Sequence, residues 1–426
     1  MNVADSLRTA AALEQLGYAS TPVPEEAQVI VLNTCVVRQS AEDKAIGRLT
    51  SLKKFKQQHP EVIINLMGCL VGIAGYQQLQ RRFPYVDIFS PPSDILPLLE
   101  HLTQAKKAQQ HSRAVLRHLE QHPLPATHAG HLVSAYVPIV YGCSHACSYC
   151  VIPLRRGHER SRPPQEILAE TQALLAQGVK EVTLLGQIVD RYGMDQPDFP
   201  SLAKLLRDLH ALEGLQRIRF LTSHPIWMHD ELLETVAELP KLMPHFELPV
   251  QAGDDVVLRN MRRGYTVQNF LAIVEKIRAL FSQAALATDL IVGFPGESNA
   301  QFENSLDLLR AVQPDMTHVA RYSPRPGTYA TQNLPDNVPD EEKLRRFRLV
   351  EELQTQIATR INQTYLNQQV PVLFEEQSKE RWRGRTPTNK LVFVHSERDL
   401  RGQELPVRIT WTGPWSLIGE LAPSTS

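Results

Sequence analysis

The sequence predicts a mixed α/β chain in three parts. These are an N-terminal doubly wound α/β domain with its first strand apparently missing, a central partial or full β/α barrel, and a small all-β module at the C-terminus. Three observations predict this. Over residues 1–100, short apolar strands alternate with helices, the mark of a parallel sheet covered on both faces. From 134 to 360 a strand-then-helix unit recurs, as in a β/α barrel. After 361 the pattern changes to short β-branched segments split by Gly and Pro. A length of 426 residues accommodates several domains. The expected boundaries are 1–105, a linker over 106–133, then 134–360 and 361–424.

In the first part a helix is expected over Ala4–Leu16, a strand over Gln28–Thr34, a helix over Ala41–Gln58, and strands over Glu61–Met67 and Val86–Phe89. Cys35 and Cys69 follow the first two strands directly. Ligands bind at the carboxyl ends of such strands, so the two thiols can meet at one site. The chain opens on a helix, whereas a doubly wound sheet begins with a strand, so a strand is expected ahead of residue 1.

Residues 101–133 are rich in Gln, His and Lys and read as a helix trailing into a linker punctuated by Pro123 and Pro125. In the central part, strands are expected at Ala135–Val140, Glu181–Leu185, Arg217–Leu221, His245–Leu248, Ala287–Val292 and Met316–Ala320. Helices lie between them, at Pro164–Gln177, Leu202–Leu212, His229–Glu238 and Val267–Phe281. The last part has strands at Val370–Glu375, Arg383–Thr386, Leu391–His395 and Val407–Trp411.

Composition excludes several classes. With 42% hydrophobic and 21% charged residues the chain is globular, and no apolar run reaches the length of a membrane span. The first residues carry no signal-peptide pattern, and five cysteines without framework spacing imply a reducing, cytoplasmic setting. A net charge of −1 makes the whole chain no polyanion binder, so a nucleic-acid partner needs a local basic patch. Lys379–Lys390 is the candidate, carrying Arg381, Arg383, Arg385 and Trp382; a solvated β-edge with gatekeeper charges is the alternative.

The densest chemical signal is Cys143, Cys147 and Cys150, a C-x3-C-x2-C run after the first barrel strand. Three thiolates can hold three irons of a cubane cluster and leave the fourth open to a small molecule, as catalytic metals require. A zinc site completed by His145 or His158, or plain buried cysteines, are the other readings of the triplet.

Together the motifs resemble the radical S-adenosylmethionine (SAM) methylthiotransferases, most closely the branch that makes 2-methylthio-N6-isopentenyladenosine in tRNA. The resemblance rests on Asn33–Arg38 with Ala41–Lys44, on Met67-Gly68-Cys69, and on Cys143–Cys150 followed by Val151-Ile152-Pro153 and Arg156–Pro163. It extends through Leu184–Gln187, His224-Pro225, Leu248–Gln251 and Asp289–Glu297 to Gly384-Arg385-Thr386 with Asn389-Lys390, which is similar to an RNA-binding TRAM module. Ile188, Glu247 and Ala252 depart from the pattern, standing where Asn, His and Ser are usual.

The resemblance implies two 4Fe-4S clusters and SAM. One cluster, on Cys143, Cys147 and Cys150, binds SAM; the second uses Cys35 and Cys69, with its third cysteine expected upstream of Met1. SAM contacts are read at Gly186, Gln187, Gln251, Gly293 and Gly296, with a tight turn as the other reading of Gly186–Gln187 and the turn around Pro295 as that of Gly293 and Gly296; Arg156, Arg160 and Arg162 can pair with phosphate or the SAM carboxylate, or be surface arginines without a role. RNA contacts are implied at Trp382, Arg383, Arg385 and Lys390. The implied partners are the tRNA anticodon loop carrying N6-isopentenyladenosine, a reducing electron donor and a sulfur source, with the chain a monomer away from membranes. Modification of threonylcarbamoyl-adenosine or of a ribosomal-protein aspartate, or a truncated, non-catalytic RNA-binding iron–sulfur protein, are the alternatives.

Overall fold

The computed structural model describes residues 1–103 and 108–422. Residues 106 and 107 of the expected linker, residues 423 and 424 of the expected C-terminal module, and the His111 side chain lie outside the described set. The chain divides into two compact units.

The first unit comprises Met1–Ala129, Tyr136–Ala146 and Cys150–Gln177. It opens with α1 (Asn2–Gln15), β1 (Val29–Thr34), α2 (Gln39–Gln58), β2 (Ile63–Gly68), α3 (Gln77–Arg82), β3 (Ile88–Ser90) and α4 (Leu96–Leu102). The strands pair in the order β1-β2-β3, parallel, with Thr34 opposite Gly68. Parallel neighbours need crossover connections, which the helices supply. Period-two alternation assigns the two faces of β2. Ile64 and Leu66 pack with Leu49 and Leu52 of α2, whereas Met67 packs with Ala11 and Ala12 of α1 and Leu99 of α4.

Where the sequence suggests a helix running out into a linker, α5 (Ala108–Gln121) buries Val115 and Leu119 in that same α1–α4 cluster. The segment after it is tied down too. The Ala126 N–H donates to Glu14 Oε2 at 2.6 Å and the Leu124 N–H to Gln177 Oε1 at 3.2 Å.

Next come β4 (Ser134–Pro138), β5 (Val140–Tyr141), α6 (Ile152–Arg156), β6 (Arg160–Ser161) and α7 (Pro164–Ala176). β5 and β6 pair antiparallel, Tyr141 opposite Arg160. Val151 joins the core that holds Cys69 and Leu70. That burial draws α6 into the N-terminal unit, although sequence grouped it with the central barrel.

The second unit comprises Gly130–Ala135, Cys147–Tyr149 and Gly178–Ser426. It continues with β7 (Glu181–Leu185), α8 (Leu202–His210), β8 (Arg217–Phe220), α9 (Asp230–Glu238), β9 (His245–Glu247), α10 (Asp255–Asn260), α11 (Val267–Leu280) and β10 (Ala285–Val292). α12 (Asn299–Val312), β11 (Met316–Arg321), α13 (Tyr329–Asn333) and α14 (Asp340–Gln363) complete the β/α part. Parallel pairing runs from β7 to β8, crosses by a single bridge between Ile218 and Leu242, and continues through β9, β10 and β11. Capping boxes at Thr266 and Ser298 start α11 and α12 and satisfy otherwise orphaned N–H groups.

The C-terminal strands β12 (Gln369–Ser378), β13 (Arg381–Arg385), β14 (Leu391–His395), β15 (Glu404–Thr412) and β16 (Leu417–Leu421) form a closed barrel in the order β12-β13-β14-β16-β15. Closure removes sheet edges. β16 escapes sequence patterning because Gly419 and Glu420 interrupt its apolar run. Among the described residues no helix is long and apolar enough to cross a membrane.

Candidate active site and RNA surface

The thiols Cys35 and Cys69 sit just past the carboxyl ends of adjacent parallel strands. The Cys69 N–H donates to the Thr34 carbonyl at 3.0 Å. Thr34 Oγ1 donates to the Met67 carbonyl at 2.7 Å and accepts from the Leu70 N–H at 3.2 Å. The turn demands glycine at 68: its φ is +99°, and a Cβ would stand 2.5 Å from the Thr34 oxygen.

Cys69 is buried, and burial pushes its thiol up while the Arg156 guanidinium opposes that shift. Arg156 Nε–H donates to Cys69 Sγ at 3.1 Å, and its Nη2 donates to Asn2 Oδ1 at 3.0 Å. Asn2 in turn donates to the Thr34 carbonyl at 3.1 Å. Thus α1, both strand ends and α6 meet at one thiol pair within the first unit.

The triplet loop starts at the end of β5. Gly142 has φ +68°, and a Cβ there would fall 2.1 Å from the His158 carbonyl oxygen, so only glycine fits. The Cys143 N–H donates to the Gly157 carbonyl at 3.0 Å, and the His145 N–H points at Cys143 Sγ at 3.4 Å. In the second unit, Ser148 is anchored by its N–H to the Met261 carbonyl and by its Oγ to the Asn260 carbonyl. Arg263 Nη1 donates to Cys147 Sγ at 3.3 Å, Nη2 to the Pro249 carbonyl and Nε to Tyr265 Oη. Burial alone would lower the Arg263 guanidinium, but Tyr149, Tyr265 and Cys147 hold it above its ordinary value.

The donor set suits iron and sulfide: soft thiols, with N–H groups aimed at sulfur that would carry negative charge. Among the described residues no three His, Cys, Asp or Glu side chains converge at metal-holding distance as they stand.

Gly186 follows β7, Gln251 follows β9 and Gly293 follows β10, all at strand carboxyl ends. Gln251 has φ +75°; its N–H donates to the Asp289 carbonyl and its carbonyl accepts from the Ile291 N–H. The Gly293 N–H donates to Glu297 Oε2 at 2.6 Å, and Glu297 is paired with Arg346. Gly296 donates to Asn337 Oδ1. Gln187 lies in the turn between Gly186 and Ile188.

Two acids on this rim, Asp190 buried and Glu247 half-buried, were not singled out as site residues from sequence. Burial pushes Asp190 up to about 8, against a hydrogen bond from the His224 N–H at 2.8 Å. Glu247 is pushed up to about 7 by burial first and by Asp289 second. Glu247 is in register with Ala287 on β10, so Asp289, two residues on, shares its face. The departure from the usual His flagged this position in sequence; Asp190 carries no local pattern.

The arginines after the triplet have partners within the chain. Arg162 binds Glu170 at 2.7 Å and the Pro138 carbonyl, and the Arg160 guanidinium lies 5.7 Å from the Tyr141 ring centre.

The expected RNA contacts are corrected in part. Trp382 is 3% exposed and belongs to the core of the closed barrel with Phe374, Val394 and Ile409, so it cannot stack on a base. Lys390 is held by Asp315 at 2.6 Å. Arg385 pairs with Glu375 and donates to the Asn389 carbonyl, while Arg383 pairs with Glu376 at 3.1 Å. The conspicuous Gly-Arg-Thr and Asn-Lys segments instead dock on β8, β9 and the turn before β11. Arg217 donates to the Arg385 carbonyl, Arg219 to the carbonyls of Thr386 and Pro387, and Asn389 reaches His245. His245 is pushed down to about 3 by burial and then by Arg219, Arg385, Lys390 and His318.

Residues 137–309 match the Radical SAM superfamily, which places the chain in the radical-SAM class of enzymes. Residues 1–90 match the uncharacterized protein family UPF0004, and residues 363–422 the TRAM domain. The tRNA-2-methylthio-N(6)-dimethylallyladenosine synthase of Roseiflexus sp. (strain RS-1) is 49% identical over 100% of this chain and 88% of that protein. Proteins of the same name from Chloroflexus aurantiacus and Herpetosiphon aurantiacus are 47% and 44% identical, over 98% and 100% of this chain and 89% and 96% of theirs. The chain belongs to the tRNA-2-methylthio-N(6)-dimethylallyladenosine synthase family.

Proposed function

We propose that this chain methylthiolates C2 of N6-isopentenyladenosine next to the anticodon in tRNA, giving 2-methylthio-N6-isopentenyladenosine. The observation that carries the reading is the three-thiol loop set in a chain that is similar along its whole length to synthases of that name. Cys143, Cys147 and Cys150 would hold the SAM-binding 4Fe-4S cluster, and Cys35 and Cys69 two irons of the second. When bound, these groups supply one-electron cleavage of a carbon–sulfur bond in SAM and the sulfur to be inserted.

The protein's own contribution is placement and charge. The His145 N–H and Arg263 stabilise negative charge on Cys143 and Cys147, and Arg156 does so on Cys69. Gly186, Gln187, Gln251, Gly293 and Gly296 frame SAM at the strand ends, where tight turns bring backbone close to a ligand. Glu247, raised to about 7 by burial and by Asp289, can exchange a proton near neutral pH on the face it shares with Asp289. The chain works in the cytoplasm as a monomer, drawing electrons and replacement sulfur from external donors.

The test is nucleoside mass spectrometry of tRNA from a deletion strain. Complementation with the wild-type gene restores the 2-methylthio nucleoside, and a Cys147→Ala gene leaves unmodified N6-isopentenyladenosine. Anaerobically reconstituted protein with dithionite and SAM releases 5′-deoxyadenosine. Release of none would refute the enzymatic reading, and restoration of a methylthiolated threonylcarbamoyl-adenosine would change the substrate.

A further inference from the structure

The strand register of the C-terminal barrel lines up a row of side chains that no sequence motif announces. Residues paired across a ladder point to the same face. Arg383 is paired with Phe393, Phe393 with Ile418, and Ile418 with Trp411, so these four share one face across β13, β14, β16 and β15. The neighbouring set, Trp382, Val394, Gly419 and Ile409, faces inward. The first row is therefore the barrel's outer face.

Its members are open or half-open. Trp411 is 50% exposed, the Arg383 side chain 36%, and Phe393 and Ile418 are half-buried. Arg381 and His395, paired with each other one step along the ladder, extend the face and are both exposed.

The platform is stiff. The six-membered ring of Trp411 lies against Gly413, where a Cβ would sit 2.4 Å from it. The buried Asn362 amide of α14 donates to the carbonyls of Gly413 and Pro414, pinning the β15–β16 turn. Trp415 in that turn is 51% exposed.

We propose that the outer row Arg383–Phe393–Ile418–Trp411 is the surface on which unpaired bases of the RNA substrate stack; this rests on the tRNA reading above. Aromatic faces on a β-barrel give sequence-tolerant stacking, and flanking guanidinium groups pair with phosphate. The mixture of rings and arginines fits a nucleotide chain better than a protein partner, whose buried centre would be depleted of charge. Glu375 and Glu376 pair with Arg383, and Glu420 with Arg408, so the face carries weak net charge and reads bases more than backbone.

The test measures affinity of the full-length protein for a fluorescein-labelled anticodon stem–loop by anisotropy. Trp411→Leu keeps an apolar side chain but removes the π-face and is expected to weaken binding roughly ten-fold, with Phe393→Leu acting in the same direction. Trp411→Phe keeps most of the affinity, and Arg383→Ala, which removes a guanidinium already paired with Glu375 and Glu376, lowers the salt slope by less than about one. Circular dichroism melts of the variants should match wild type, since the replaced side chains face outward. If Trp411→Leu and Phe393→Leu both bind within two-fold of wild type, the face is wrong while the tRNA reading stands. If wild type itself does not bind the RNA, that reading falls. If Trp411→Leu instead abolishes self-association seen by sedimentation, the face is a protein interface and the proposal is overturned.

Discussion

Arg219→Leu offers the sharpest test of how the β/α sheet holds the C-terminal barrel. Arg219 and Glu181 are 3% and 4% exposed, and Nε donates to Oε2 at 3.0 Å. The other two nitrogens donate to the carbonyls of Pro387 and Thr386 at 2.8 and 2.9 Å. Removing the guanidinium strands a buried carboxylate that keeps a hydrogen bond from Ser134 Oγ, and leaves two carbonyls short of a partner. Breaking one half of a buried ion pair costs about 3–5 kcal/mol, most of it from the stranded charge.

The double variant Glu181→Leu/Arg219→Leu removes that charge. It retains only the carbonyl penalty, about 1–3 kcal/mol. The double variant should therefore be more stable than the single one by about 2 kcal/mol. Urea unfolding followed by far-ultraviolet circular dichroism gives both differences. A single variant that loses less than about 1 kcal/mol, or a double variant no more stable than the single, refutes the idea that this pair fastens the docking segment.

Other outcomes follow from the same geometry. Glu247 titrates near 7 when folded against an ordinary 4.5, so the folded state binds the extra proton; stability should fall as pH rises from about 4.5 to 7, by at most about 1.4 kcal/mol per unit, and Glu247→Gln should flatten that slope. Arg156→Gln removes the donor at Cys69 Sγ and should lower iron bound per chain at the Cys35–Cys69 locus about ten-fold, read by metal analysis in a Cys143→Ala/Cys147→Ala/Cys150→Ala background; undiminished iron contradicts a ligand-supporting role. Gly142→Ala places a methyl 2.1 Å from the His158 oxygen at a positive φ, and should abolish iron binding by the triplet, as seen in the visible absorbance, while far-ultraviolet circular dichroism changes little.

Strand and helix identities were legible where periodicity is strong. Glu181–Leu185 reads as a fully buried parallel strand, and it is one. The inward turn of Trp382 was legible as well: in Arg-Trp-Arg-Gly-Arg, two-residue alternation separates the ring from its arginine neighbours. A motif-level view groups residues by adjacency and so lost that distinction. The outer row ending at Trp411 was not legible, because it depends on register across four strands and on a bulge between Ile409 and Trp411. Nor was the contact from Arg156 to Cys69, which spans 87 positions of sequence. Asp190 was missed because burial, which raises its pKa, is a tertiary property.

The short run from Cys150 to Arg156 acts as a leash. One end carries a thiol of the triplet, and the other donates to a thiol of the strand-end pair. Much of the run is helical, rising about 1.5 Å per residue, and even drawn straight it spans no more than roughly 20 Å. The backbone of Cys150 is thus tied by six peptide links to the guanidinium that steadies Cys69, and a flexible insertion there would loosen that tie.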